Sequence, residues 1–119
     1  MEKNEIKKIK QCQKGNLEQF TYLYDKYVKN IYDFIYFKTY HQETAEDLTS
    51  KTFIKALEKI NSFDQSKGEF ISWLYKIAQN TVIDHFRQAK FEIDIDDVWH
   101  LSANSDYQVD LDVKQQFEK

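Results

Sequence analysis

The stretch GEFISWLYKIAQNTVIDHFRQAK, residues 68–90, carries the strongest structural signal in this sequence. Its apolar residues recur at spacings of three and four, the period that buries one face of an α-helix. This pattern predicts a helix from about Glu69 to Lys90. The predicted core positions of the helix are Phe70, Ile71, Leu74, Ile77, Ala78, Val82 and Phe86.

Two stretches upstream, residues 43–59 and residues 16–40, carry apolar stripes of the same period. Asn16 follows Gly15 and is placed to cap the second of these helices. The chain has no proline and only two glycines, which disfavours sheets built from tight hairpins. The sequence therefore predicts an all-α fold, a compact domain of three to four helices.

Charge and period together divide the chain into three segments. Residues 1–14 are a charged lead-in that can hold a short amphipathic helix. Residues 1–91 carry 15 Lys and Arg against 12 Asp and Glu, whereas residues 92–119 carry 2 against 8. Blocks of opposite sign usually act as separate electrostatic units. We therefore predict a helical domain over residues 15–90 and a C-terminal acidic, mostly irregular tail over residues 91–119, which serves as a linker.

Several classes of function are disfavoured by what the sequence lacks. The histidines His41, His85 and His100 fall in different elements, so no pair has metal-ligand spacing on one face. There is no glycine-rich phosphate loop, and Cys12 is the single cysteine. No apolar run is long enough to span a membrane, and no signal peptide is recognisable. We therefore expect a cytoplasmic protein that is not an enzyme, with no membrane insertion and no catalytic residue, metal ion or cofactor.

A second stripe on the last predicted helix has the composition of a nucleic-acid surface. Its residues follow one another at spacings of three and four, so they share one face. A tryptophan ring stacks on an unpaired base, an amide reads a base edge, and cations hold phosphates. A half-buried tryptophan on an ordinary solvated face is the alternative, and the pattern alone favours it. The residues of this stripe are Trp73, Lys76, Asn80, Asp84 and Arg87.

The loop that precedes this helix adds further candidates. A short polar loop can wrap around a base that has left the stack and contact its hydrogen-bonding edge. An ordinary connection between helices is the alternative reading of such a loop. The candidate residues in the loop are Phe63, Asp64, Gln65, Ser66 and Lys67.

These stretches, in this order, resemble region 2 of the extracytoplasmic-function sigma factors. The resemblance lies in AEDLTSKTFIKALEKINSFD, residues 45–64, and in GEFISWLYKIAQNTVIDHFRQAK, residues 68–90. The segment GNLEQFTYLYDKYVKNIYDF, residues 15–34, resembles the helices that open the domain in that family. No single motif is decisive, but their order and spacing together are specific to the family.

The resemblance implies a sigma factor domain with two binding partners. The first is core RNA polymerase, whose largest subunit would receive the third helix on its clamp helices through Asp47, Leu48, Ser50 and Phe53. The second is promoter DNA, whose −10 element would be recognised and melted by capture of non-template-strand bases. An anti-sigma protein is a further expected partner, because factors of this family are commonly held by one.

The resemblance also implies how the DNA would be held. The loop, residues 62–68, would accept a flipped base. Asn80 and Asp84 occupy family positions next to the neighbouring bases, and Lys76 and Arg87 would hold backbone phosphates. Captured bases stabilise the open duplex, so binding energy would drive melting without ATP.

The chain departs from the family in three respects. Ser50 and Lys51 stand where the family commonly has a Gln-Glu pair. Arg87 is the single arginine, so affinity for DNA alone should be weak and steeply dependent on salt. A complete factor carries a second domain with a helix-turn-helix, and residues 91–119 resemble the linker before it. We therefore expect a chain truncated before that second domain.

Two alternatives from other classes remain open at this point. A helical protein-interaction module is the first, because exposed aromatic residues favour protein interfaces. A small helical enzyme is the second, and no residue constellation supports it. The aromatic residues that motivate the first alternative are Tyr22, Tyr32, Tyr36, Phe37 and Tyr40.

Overall fold

This computed structural model describes the backbone of residues 1–99 and the side chains of residues 1–90. The described residues form α-helices joined by short 3₁₀ turns, and no strand occurs among them. The all-α prediction is confirmed. The helices are α1 (Lys3–Gln13), α2 (Phe20–Thr39), α3 (Gln42–Glu58) and α4 (Phe70–Trp99).

Local backbone chemistry explains where these helices end. Gly15 has a φ of +104°, which a glycine adopts without strain and which turns the chain away from α1. The prediction that Asn16 caps the second helix was wrong, because its side chain makes no capping bond and a 3₁₀ turn follows it. Tyr40 ends α2 in the left-handed region, and the His41 side chain accepts the Thr44 N–H at 3.2 Å to cap α3.

Helix α4 extends beyond the predicted end at Lys90 and reaches Trp99. Residues 91–99 contain no proline or glycine, so no backbone feature ends the helix where the apolar period fades. The remainder of the predicted irregular tail, residues 100–119, lies outside the described residues. Contacts within the chain divide it into two compact units, Met1–Thr81 and Val82–Lys119.

The core of the first unit is apolar and aromatic. Rings of α2 and α3 pack edge to face, with centroid distances of 6.3 Å from Phe20 to Phe53 and 4.9 Å from Tyr24 to Phe53. Phe70 and Leu74 bury α4 against this core without exposed surface. These residues follow the predicted period, which confirms the apolar stripes as the source of the fold. The other buried apolar side chains of this unit are Ile9, Cys12, Leu23, Ile31, Ile35, Ala45, Leu48, Ala56, Ile60, Phe63 and Ala78.

The charged lead-in is tied to α2 by a buried carboxylate. Glu5 of α1 is only 1% exposed, and its Oε1 lies 2.8 Å from Lys26 Nζ and accepts the Tyr27 hydroxyl. Lys26 Nζ also lies 2.8 Å from Glu2. Hydrogen bonds to Glu2 and Glu5 raise the pKa of Lys26, and burial followed by the bond to Glu5 raises the pKa of Tyr27. Because a buried carboxylate without a partner is costly, these bonds hold α1 in a fixed place on α2.

The described backbone of the second unit, residues 82–99, belongs to α4. Val82 is buried and the rings of His85 and Phe86 lie 5.4 Å apart. Across the part of the chain that the structure describes, no helix combines the length and the hydropathy needed to span a bilayer.

Candidate nucleic-acid interface

The loop between α3 and α4 is an ordered structure made of two 3₁₀ turns, Ile60–Ser62 and Gln65–Lys67. Asp64 caps the second turn, with its Oδ1 accepting the Ser66 N–H at 2.9 Å and the Ser66 hydroxyl at 2.7 Å. These bonds lower the pKa of the Asp64 carboxyl, so it is ionised at neutral pH. Gly68 has a φ of +152°, which favours glycine and lets the chain enter α4.

Helix α1 holds this loop through one side chain that the sequence did not point to. The Gln13 Nε2 donates to the carbonyl oxygens of Ile60 and Phe63, each at 2.9 Å. These bonds join residues 47 and 50 positions apart in the sequence, so no local pattern could have predicted them. Since α1 is itself fixed on α2, the first part of the loop is attached to a rigid support.

An aromatic cluster forms the base of the site. Phe63 is 7% exposed and its ring centroid lies 5.5 Å from Phe70 and 5.4 Å from Trp73. The centroids of Phe70 and Trp73 are also 5.5 Å apart. Trp73 is half-buried, as the pattern of the stripe alone favoured. The visible part of its ring is fixed in orientation by two aromatic neighbours.

A cavity of about 230 Å³ opens between the loop and the start of α4. It brings together five of the predicted residues, three from the loop and two from the helix. The wall is aromatic, whereas two lysines and two carboxylates line the rest, so the cavity suits a flat, neutral group with a polar edge better than a bare anion. Residues lining the cavity are Ser62, Phe63, Asp64, Lys67, Gly68, Glu69, Ser72, Trp73 and Lys76.

The other predicted DNA-binding residues lie outside this cavity. Gln65 and Ser66 are exposed on the second 3₁₀ turn of the loop. Asn80 is exposed on α4, one helical turn beyond Lys76. Asp84 and Arg87 are exposed residues of the second unit. The first unit therefore brings Phe63, Asp64, Lys67, Trp73 and Lys76 together around one cavity, and the DNA-binding role of all ten residues stays a prediction.

The residues predicted to bind the polymerase divide by burial. Leu48 and Phe53 are 1% and 4% exposed, so they pack inside the domain. Asp47 and Ser50 are exposed, and Asp47 Oδ2 lies 3.1 Å from Lys51 Nζ. Both residues belong to the apolar stripe of residues 43–59, whose period predicts burial, and the structure agrees with the stripe.

An apolar surface groove of about 310 Å³ lies between α2 and α3 beside these residues. Ile54 is 58% exposed within it, although isoleucine is usually buried. Ile54 was not among the predicted residues, although an isoleucine off the buried stripe is a sequence signal that could have identified this surface. The groove is lined by Phe20, Tyr24, Ser50, Phe53, Ile54 and Leu57.

The aromatic residues that suggested an interaction module are partly exposed. Tyr36, Phe37 and Tyr40 are exposed at the end of α2, whereas Tyr22 and Tyr32 are half-buried. Tyr36 contacts both Phe37 and Tyr40 edge to face, so these rings shield one another. Among the residues with described side chains, no cluster of three or more His, Cys, Asp or Glu could bind a metal ion.

Comparison with known proteins tests which family this chain is similar to. The family model described as Sigma-70 region 2 matches residues 23–92, which include α3, the loop and most of α4. The chain is 38% identical over 96 residues to the ECF RNA polymerase sigma factor BldN of Streptomyces coelicolor, covering 81% of this chain and 36% of that protein. It is 39% identical over 84 residues to the ECF RNA polymerase sigma factor SigW of Bacillus subtilis, covering 71% of this chain and 44% of that protein.

The described residues form an all-α domain with an aromatic cavity between a loop and a helix. The chain belongs to the extracytoplasmic-function sigma-70 family, as a region 2 domain. It spans less than half the length of the curated relatives named above.

Proposed function

We propose that this chain is the part of an RNA polymerase sigma factor that binds core polymerase and captures bases of the promoter −10 element. The supporting observation is the cavity between the loop and α4, with Trp73 as its wall and Lys67 and Lys76 on its lining. The polymerase supplies the chemistry of transcription, so the role needs no catalytic group from this chain.

Base capture is energetically reasonable in this cavity. Taking a base out of the duplex costs a few kcal/mol, and stacking on an aromatic ring returns about 1–3 kcal/mol per base. The packing of Trp73 on Phe63 and Phe70 fixes the ring before the base arrives, so little additional ordering is required. The base edge would meet the polar lining of the loop, where Asp64 is held in place by Ser66.

The rest of the strand would follow α4. Asn80 is proposed to read the edge of a neighbouring base, since an amide can donate and accept at once. Lys76 is proposed to hold a phosphate. Asp84 and Arg87, exposed on the second unit, stay the proposed partners of a further base and a further phosphate.

The exposed side of α3 and the adjoining groove are the proposed polymerase surface. Asp47 and Ser50 supply polar groups there, and Ile54 supplies exposed apolar area at the centre of the groove. Leu48 and Phe53 would support this surface from beneath, because they are buried. An anti-sigma protein that covered either surface would block the corresponding step.

Promoter opening by reconstituted polymerase tests the proposal. The protein is combined with core enzyme, and unpaired thymines of the −10 element are detected with permanganate. Asn80→Ala should reduce thymine reactivity, because it removes an exposed amide and leaves the core intact. Gln79→Ala is the matched control, since Gln79 is also an exposed amide, at a different angle on the same helix. Equal reactivity for Asn80→Ala and the unaltered protein, with stable association, would contradict the assignment of α4.

A further inference from the structure

A second cavity lies against the loop between α3 and α4. This cavity, of about 440 Å³, lies between the loop and α1, and no residue of α1 was predicted to contact DNA. Its lining includes Lys10 and Gln13 of α1 together with Asn61, Gln65 and Lys67 of the loop. The two cavities adjoin one another at the loop, because both are lined by Ser62, Phe63, Asp64 and Lys67.

The two cavities differ in the charge of their linings. The first contains two lysines and two carboxylates, whereas the second contains two lysines and the single carboxylate of Asp64. An Oδ1 of that carboxylate already accepts two hydrogen bonds from Ser66. The second cavity therefore carries an excess of positive charge, and the exposed amides of Asn61 and Gln65 add donors and acceptors.

The wall formed by α1 is fixed in position. Gln13 holds the backbone of Ile60 and Phe63, and Glu5 holds α1 to Lys26 of α2. A fixed wall lets a bound group gain contacts without paying to order the protein. The larger cavity lies within the range of about 300–1,000 Å³ that is typical of small-molecule sites, which is room for a sugar, phosphate and base.

We propose that this second cavity binds the nucleotide adjacent to the captured base, with Lys10 holding its phosphate. The inference rests on the proposed function, because it assumes that a single strand reaches the first cavity. It assigns α1 a direct part in the DNA interface, in addition to its packing role. The strand would cross the loop at Lys67, which lies beside both cavities.

Single-strand binding with variants of α1 tests the inference. The probe is a labelled DNA strand selected from a random pool by polymerase carrying the full chain, together with the same strand shortened stepwise from each end. Lys10→Gln removes the proposed phosphate contact, and Lys7→Gln is the matched control because Lys7 is exposed on α1 outside the cavity lining. Affinity is measured over a series of salt concentrations.

The expected result is specific to Lys10 and to strand length. On the full strand Lys10→Gln should weaken binding and reduce the slope of log affinity against log salt by about 0.7, the value of one phosphate contact on single-stranded DNA. On a strand that lacks the adjacent nucleotide, Lys10→Gln should have no effect. Lys7→Gln should leave both strands unaffected.

Other outcomes overturn the inference in distinguishable ways. Equal effects of Lys10→Gln and Lys7→Gln would mean that α1 acts only through general charge. If Lys10→Gln weakened binding of every shortened strand, Lys10 would not contact the nucleotide adjacent to the captured base, and the proposal would be wrong. Binding that depends on Asn80 but not on Lys10 would contradict nucleotide binding in the second cavity, and it would still agree with the proposed function. If no strand bound the unaltered protein, both proposals would fail.

Discussion

Replacing Gln13 with alanine should destabilise the loop between α3 and α4 while the helical core stays folded. The Gln13 Nε2 makes the two side-chain bonds from α1 to the loop backbone, at 2.9 Å to Ile60 and 2.9 Å to Phe63. Gln13→Ala removes both bonds. The Ile60 carbonyl still accepts the Phe63 N–H at 3.2 Å, so the larger loss falls on the Phe63 carbonyl.

The expected magnitude follows from those contacts. A hydrogen bond of this kind contributes about 0.5–1.5 kcal/mol net, so the loop should lose about 1–2 kcal/mol of local stability. If the loop must close on the base, that loss lowers strand affinity by a factor of about 5–30. Global unfolding should change less, because the buried rings of Phe63 and Phe70 remain packed.

Two measurements on the same variants check this prediction. Hydrogen exchange at the Phe63 amide reports local opening of the loop, and strand affinity in the presence of polymerase reports its consequence. Gln13→Glu keeps the length of the side chain but faces the two carbonyls with a carboxylate, so it should be at least as damaging as Gln13→Ala. Gln11→Ala is the control, because Gln11 is a half-buried glutamine of α1 whose Oε1 has no partner.

The reasoning would be refuted by a Gln13→Ala protein whose Phe63 amide exchanges at the unaltered rate. It would also be refuted if exchange increased and strand affinity stayed the same, since the loop would then order on binding at no measurable cost. A Gln11→Ala protein with equal effects would assign the change to α1 as a whole.

Three further predictions concern α3, the attachment of α1 to α2, and the pH dependence of that attachment. Ile54→Asp should weaken binding to core polymerase at a nearly unchanged melting temperature, because the side chain is 58% exposed in the groove. Glu58→Lys is the control, since Glu58 is exposed on the same helix outside the groove lining, and it should not weaken binding. Equal binding by the two variants in a pull-down would contradict the groove assignment. Lys26→Met should lower the free energy of unfolding by about 1–3 kcal/mol. This is less than the roughly 3–5 kcal/mol expected when a fully buried ion pair is broken, because Lys26 is one-third exposed. An unchanged urea midpoint would refute this prediction. Folding raises the pKa values of Lys26 and Tyr27, so the stability that these groups contribute is complete below their ordinary pKa values of 10.5 and 10.0 and is lost as pH rises above them. The free energy of unfolding of the unaltered protein should therefore fall above about pH 10. In Lys26→Met the free energy of unfolding should depend less on pH in that range.

The helices could be predicted from the sequence because each one buries a periodic apolar stripe. Phe53, Phe70 and Leu74 follow that period and are buried as it requires. The end of α4 could not be located in the same way, since helix propensity continues after the apolar period fades. The period also assigned Phe53 to the core correctly, whereas family resemblance had suggested a surface role.

The candidate site could be predicted in part. Trp73 and Lys76 lie on one helix and Asp64 and Lys67 on one loop, so local spacing was enough to propose that they act together. The contact of Gln13 with the loop depends on the packing of distant segments, which no local spacing encodes. The stripe favoured a half-buried Trp73, but the ring that packs against it, Phe63 at a centroid distance of 5.4 Å, could be identified only from the tertiary structure.

Base capture in the cavity beside Trp73 is the central claim, and a fluorescent base analogue tests it most directly. Strands carrying 2-aminopurine at successive positions of the −10 element are bound to polymerase with the factor. We predict a change in fluorescence at one position, where the base leaves its neighbours and contacts Trp73, and loss of that change in a Trp73→Ala protein whose circular dichroism confirms an intact fold. Equal signals at every position, or an unaltered signal in folded Trp73→Ala, would contradict the claim.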